Sequence, residues 1–129
     1  MALNIEIDQY KGCVVAHLSG ELDLTVATET QDRFAELIAA PGAAGPLRLV
    51  IDLTQVFFCD STGIGVLAWI LRAVHKAHGQ LALVAPRGIL VTNLIEVTQL
   101  SRVIPTHPTV EAACQYLTGS PPAATGTTP

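Results

Sequence analysis

A chain of 129 residues is long enough to bury one core and too short for two domains of ordinary size. Half of its residues are hydrophobic, only 14% are charged and the mean hydropathy is +0.45, which excludes disorder over most of the length. A net charge of -4 and a pI near 5.4, with no basic tract, argue against nucleic acid as a partner, because nothing is present to neutralise a run of phosphates.

The longest apolar stretch, 64–71, is interrupted by Gly65 and closed by Arg72, far short of the roughly 20 residues of a membrane span. Residues 1–8 alternate apolar with polar and lack a basic start before a hydrophobic block, so no signal peptide is expected there. These features predict a soluble, cytoplasmic protein. Cys13, Cys59 and Cys114 are odd in number and widely spaced, which fits reduced thiols better than a disulfide framework. His75 and His78 stand one helical turn apart but read as a solvated pair, so no metal or other cofactor is expected.

In chain order, residues 4–8 and 13–18 predict two strands joined at Tyr10-Lys11-Gly12, a hairpin. Residues 25–40 then predict a helix with Ala27, Phe34 and Ile38 on one face, Thr25 as its N-cap and Pro41-Gly42 as its stop. The nearly continuous apolar run 47–53 predicts a central strand covered on both faces and paired in parallel. A loop over 54–60 follows, then a long helix from Ser61 to His78 ended by Gly79 as a left-handed cap.

Residues 81–84 predict another buried strand, and 89–100 a helix with Leu90, Leu94 and Val97 at helical spacing. Val103-Ile104 is expected to form a last short strand, and 109–117 a final helix behind Pro108. From Gly119 the composition turns to Pro, Ala, Thr, Ser and Gly, so 1–118 is expected to be the domain and 119–129 a disordered tail. This order implies an α/β sandwich, with a mixed sheet of four or five strands and about four helices. The loop before Ser61 leaves the carboxyl end of a central strand, where such folds place ligand or partner sites.

Cys59-Asp60-Ser61-Thr62-Gly63-Ile64-Gly65 sets two hydroxyls at the mouth of a helix directly after a carboxylate, with glycines that admit close approach. Local composition alone describes an ordinary helix cap. Along the helix, Gly65, Arg72 and Lys76 form a narrow polar stripe with Trp69 at its edge, placed either to face a partner or to wedge against another helix.

Gly20-Glu21-Leu22-Asp23, the strand ending Ile51-Asp52-Leu53, the segment Asp60-Ser61-Thr62-Gly63-Ile64-Gly65 and the apolar helix closed by Gly79 occur in the order of one known family. Over residues 5–117 the chain resembles the bacterial anti-sigma factor antagonists, built on the STAS domain. Cys59, where Met or Leu is more usual, is a mild departure. The resemblance implies a STAS-like sandwich and a binding protein that is not an enzyme. Its unphosphorylated form would bind an anti-sigma factor that is also a serine protein kinase, thereby releasing the sigma factor. Phosphorylation of Ser61, or secondarily Thr62, would switch binding off, and a phosphatase would reset it. The partner-binding residues implied are Asp23, Asp60, Ser61, Thr62, Gly63, Gly65 and Trp69, although Asp23 fits a turn or capping role equally well. A weak homodimer is compatible with the same pattern.

Other chemistries fit less well. A serine hydrolase would need a Gly-x-Ser-x-Gly elbow, which is absent, and an aspartic protease would need a β-rich setting around its Asp-Ser/Thr-Gly. A phosphate loop would need a Lys-Ser/Thr pair after Gly63-x-Gly65. The alternative within the family is a regulatory or scaffold module that binds another signalling protein without phosphorylation.

Overall fold

The computed structural model describes residues 3–40 and 45–119. The Pro41-Gly42 helix stop and the expected tail beyond Gly119 therefore lie outside the described residues. Five strands form one sheet in the order β1 (Leu3–Tyr10), β2 (Cys13–Leu22), β3 (Arg48–Cys59), β4 (Gln80–Val84), β5 (Thr106–His107). β1 and β2 are antiparallel and every other pair is parallel. The hairpin turn places both Lys11 (φ 48°) and Gly12 (φ 88°) in the left-handed region, the pattern of a two-residue turn that matches strand twist.

Side-chain alternation divides the sheet into two unequal faces. Leu49, Ile51 and Leu53 of β3, with Leu81 and Leu83 of β4, join the larger core beneath α1 (Ala27–Ala39), α2 (Ser61–Lys76) and α3 (Leu90–Val97). Val50, Ala82 and Val84 point the other way, where with Cys13 and Val15 they meet Ala113, Cys114 and Leu117 of α4 (Val110–Thr118). Thus β3 and β4 are covered on both sides, as their unbroken apolar sequences require. One short helix suffices for the second face.

Several boundaries depart from the sequence expectation. The segment 54–59 is strand, not loop: β3 runs on to Cys59 beside Ser19–Leu22 of β2, and the register shifts between His17 and Ser19 and again between Gly20 and Glu21. Such irregularities let a strand bend while its backbone groups remain paired. Thr25 is not the cap of the first helix. Asp23 caps a short 3-10 turn, Leu24–Val26, by accepting from the Thr25 amide (3.0 Å) and hydroxyl (2.7 Å), and α1 follows directly from that turn.

Gly79 is not left-handed either; His78 is, with φ 64°. The amide of His78 donates to the His75 carbonyl (2.9 Å) and that of Gly79 to the Val74 carbonyl (2.8 Å), the paired bonds of a Schellman ending. On α3 the buried side chains are Val91, Thr92 and Ile95, while Leu90 and Val97 are exposed, so the expected face is rotated. The last strand is Thr106–His107 rather than Val103-Ile104; a 3-10 turn over Leu100–Arg102 precedes it, and Ile104 joins the larger core. Thr109 caps α4, its hydroxyl accepting from the Ala112 amide at 3.1 Å.

Candidate functional site

At the carboxyl ends of β2 and β3 the backbone turns outward twice. Leu22 pairs with Cys59, so Asp23 and Asp60, the next residues, leave the sheet at one rim. The Asp60 amide donates to the Leu22 carbonyl at 3.4 Å, tying the two exits together. Asp60 adopts an extended conformation (φ -111°, ψ -173°) and its Oδ1 accepts from the Gly63 amide at 2.9 Å, while the Ile64 amide donates to its carbonyl at 3.1 Å. It is the N-cap of α2.

Because a carboxylate supplies the cap, neither hydroxyl is spent on it. Ser61 stands exposed as the first helical residue, Thr62 is half-buried beside it, and the first turn holds no acidic side chain. The leading N–H groups of a helix carry partial positive charge and favour an anion.

The two glycines behave differently. A Cβ on Gly63 would fall 2.3 Å from the Leu22 carbonyl oxygen and 2.8 Å from Cys59 Sγ, so any side chain would push α2 off the sheet. Gly65 is exposed and a Cβ there would meet nothing within 4 Å. Cys59 lies beneath this turn; burial, reinforced by the Asp60 charge, pushes its thiol up to about 12 and keeps it protonated. A smaller residue than Met or Leu suits a position pressed against Gly63.

Sequence reasoning missed the exposed apolar side chains. Phe57, Phe58 and Leu24, which stand one to three residues from Asp60 and Asp23 in the chain, are 59%, 43% and 70% exposed. The signal was present as Val56-Phe57-Phe58, yet a segment taken for a loop gave no means of saying which aromatic faces out. Trp69 lies two turns along α2 from Ser61, about 12 Å by helical rise. It is half-buried, packs on the larger core and lines a groove between α1 and α2 with Ile38, Ala73 and Lys76. The structure thus brings Asp23, Asp60, Ser61, Thr62, Gly63 and Gly65 to one rim and sets Trp69 apart from it, farther down the helix.

On the opposite face of the sheet, His17 Nδ1 and Asp52 Oδ2 pair at 2.8 Å across neighbouring strands. Burial raises the Asp52 carboxyl, but the hydroxyl and amide of Thr54 and the His17 ring outweigh it and hold the group below its ordinary value. Among the described residues, no group of three His, Cys, Asp or Glu side chains is placed to hold a metal, and no helix is long and apolar enough to cross a membrane.

A five-stranded mixed sheet with an exposed serine at the mouth of a carboxylate-capped helix defines a STAS-type module. The chain belongs to the STAS domain family, whose match spans residues 4–113. It is 26% identical over 107 residues to the anti-sigma F factor antagonist of Paenibacillus polymyxa, covering 83% of this chain and 88% of that one. It is 30% identical over 104 residues to the anti-sigma-B factor antagonist of Bacillus subtilis, covering 81% and 90%. Among solved structures, an anti-sigma factor antagonist from Mycobacterium paratuberculosis superposes with a TM-score of 0.78 at 26% identity, covering 91% of this chain and 95% of that one.

Proposed function

We propose that this protein is an anti-sigma factor antagonist that binds its anti-sigma factor through the mouth of α2 and lets go when that partner, acting as a serine kinase, phosphorylates Ser61. The observation that carries the reading is an exposed Ser61 hydroxyl, left free by the Asp60 cap, with exposed Phe57, Phe58 and Leu24 close by in the chain segments that lead to Asp60 and Asp23. Exposed apolar side chains on these segments are suited to close protein contact. Thr62, half-buried, is the less accessible acceptor. Asp23 and Asp60 act by shaping the rim, and Gly65 by leaving room for a partner's backbone.

The switch works on binding and leaves the fold intact. A phosphate on Ser61 adds about -1.5 to -2 charge, which the helix N-terminus stabilises in the free protein. Beneath a partner the same group has to be desolvated beside the Asp60 carboxylate. A loss of about 3 kcal/mol weakens affinity by more than 100-fold. Support comes from the similarity to named antagonists and from SpoIIAA, a protein of the same fold solved in both unphosphorylated and phosphorylated forms. The scheme places the protein in the cytoplasm, needs a phosphatase for reset, and asks no catalysis of this chain.

The test is affinity capture from the native cell with wild type, Ser61→Ala and Ser61→Asp as bait, followed by incubation with ATP and phosphosite mapping. Wild type should recover a protein with an ATP-binding kinase domain and acquire one phosphate on Ser61; Ser61→Ala should acquire none; Ser61→Asp should bind at least 100-fold more weakly by calorimetry. Binding indifferent to Ser61→Asp and to phosphorylation would sink the switch and leave a scaffold module.

A further inference from the structure

On the sheet face opposite α2, two cysteines that lie 101 residues apart in sequence come together. Cys13, the first residue of β2, and Cys114, in the middle of α4, have their Sγ atoms 2.8 Å apart. Both are buried among Val15, Val50, Ala113 and Leu117. Cys114 Sγ also lies 3.2 Å from the Tyr10 carbonyl and 3.4 Å from that of Lys11, and Cys13 Sγ 3.9 Å from the carbonyl of Cys114. A disulfide bond is about 2.05 Å long, so the sulfurs need to close by less than 1 Å.

We propose that Cys13 and Cys114 form a reversible disulfide that staples α4 to the hairpin under oxidising conditions. The oxidant is a low-molecular-weight disulfide of the glutathione type. The Cys114 thiolate attacks one of its sulfurs and expels one thiolate. Cys13, deprotonated, then attacks the protein-side sulfur of the mixed disulfide and expels the second. Two protein thiols and one small disulfide become one protein disulfide and two small thiols.

In the closed fold the exchange is slow. Burial, reinforced by the neighbouring Cys114, pushes the Cys13 thiol up to about 12, so little Cys13 thiolate is present in the closed fold to complete the second step. Once formed, the bond is shielded by the same burial and closes a loop of about 100 residues in the unfolded chain, which stabilises the fold. Cys59 is excluded from this chemistry because it belongs to the other core, beneath the mouth of α2. The staple therefore acts on the face that carries no part of the Ser61 rim.

The experiment is to refold the reduced full chain from guanidinium in a glutathione redox buffer, so that all three thiols are accessible during folding, then to alkylate under denaturing conditions and map the peptides. The expected product carries one alkyl group, on Cys59, and a Cys13–Cys114 linkage, and it melts about 10 °C above the reduced protein, the difference vanishing with dithiothreitol. Cys59→Ala should keep the linkage, while Cys13→Ala and Cys114→Ala should each abolish it. Three alkylated thiols after refolding, a bond involving Cys59, or an oxidised form that melts no higher than the reduced one would each overturn the proposal, and none depends on the Ser61 switch.

Discussion

Helix α2 is fastened at both ends by a glycine pressed against a backbone carbonyl, yet the two ends expose different chemistry: a hydroxyl at the start, and the side chains of His75, Lys76 and His78 at the finish. At the start, Gly63 lies under Leu22; at the finish, a Cβ on Gly79 would fall 2.8 Å from the Leu47 carbonyl oxygen and 3.1 Å from Val74 Cγ1. The finish holds a Schellman ending whose bonds are all internal, and the next amide, of Gln80, donates to Leu47 at 2.9 Å to launch β4. The start adds an exposed serine, an exposed glycine and an exposed aromatic pair. A neutral hydroxyl with exposed aromatics just before it has no counterpart among the basic and imidazole side chains at the finish, and that difference is where a partner's requirements show.

Substitutions at the glycines separate what each end does. The largest effect is expected for Gly63→Ala: the added carbon meets backbone at 2.3 Å, which cannot rotate away, so stability should fall by about 3 kcal/mol. Chemical denaturation read by far-UV dichroism measures this, and a midpoint within error of wild type would show that α2 can ride off the sheet freely. Gly79→Ala should cost less, about 2 kcal/mol, because the approach is 2.8 Å and the Val74 methyl can yield. It should also leave partner affinity unchanged once the protein is folded, since nothing of the Ser61 rim touches that end.

Much of this contrast was legible before any coordinates. The order of elements, the buried β3 and β4, and Asp60 before Ser61 follow from local pattern, because apolar runs and capping residues act over a few positions. What the sequence hid depends on long-range pairing. Thr54 and Gln55 read as loop, but β2 lies alongside and turns 54–59 into strand, in which Phe57 and Phe58 are exposed just before Asp60. The two-residue β5 exists through its register with Leu83 and Val84, which no propensity encodes. Helix α3 has one broad apolar face running from Val97 and Leu90 round to Val91 and Ile95, and the fold buries its Val91 and Ile95 edge together with Thr92, whose hydroxyl donates to the Pro86 carbonyl at 2.6 Å, a contact that spacing does not encode. His17 with Asp52, and Cys13 with Cys114, are neighbours only because strands and helices at distant positions meet.

The smallest expected change is the one that bears most directly on function. Glycine within a helix costs about 1 kcal/mol relative to alanine, and Gly65 has open space where a methyl would go. Gly65→Ala should therefore stabilise the free protein by about 0.5–1 kcal/mol, raising the melting temperature by about 4 °C. If the open space exists for a partner's backbone, the same methyl should weaken anti-sigma binding by about 10-fold, the equivalent of about 1.4 kcal/mol. Thermal melting and calorimetry on one variant would then move in opposite directions. A Gly65→Ala protein that melts higher and binds as tightly as wild type would show the partner passing clear of the second turn, and would confine the contact to Ser61 and the phenylalanines before it.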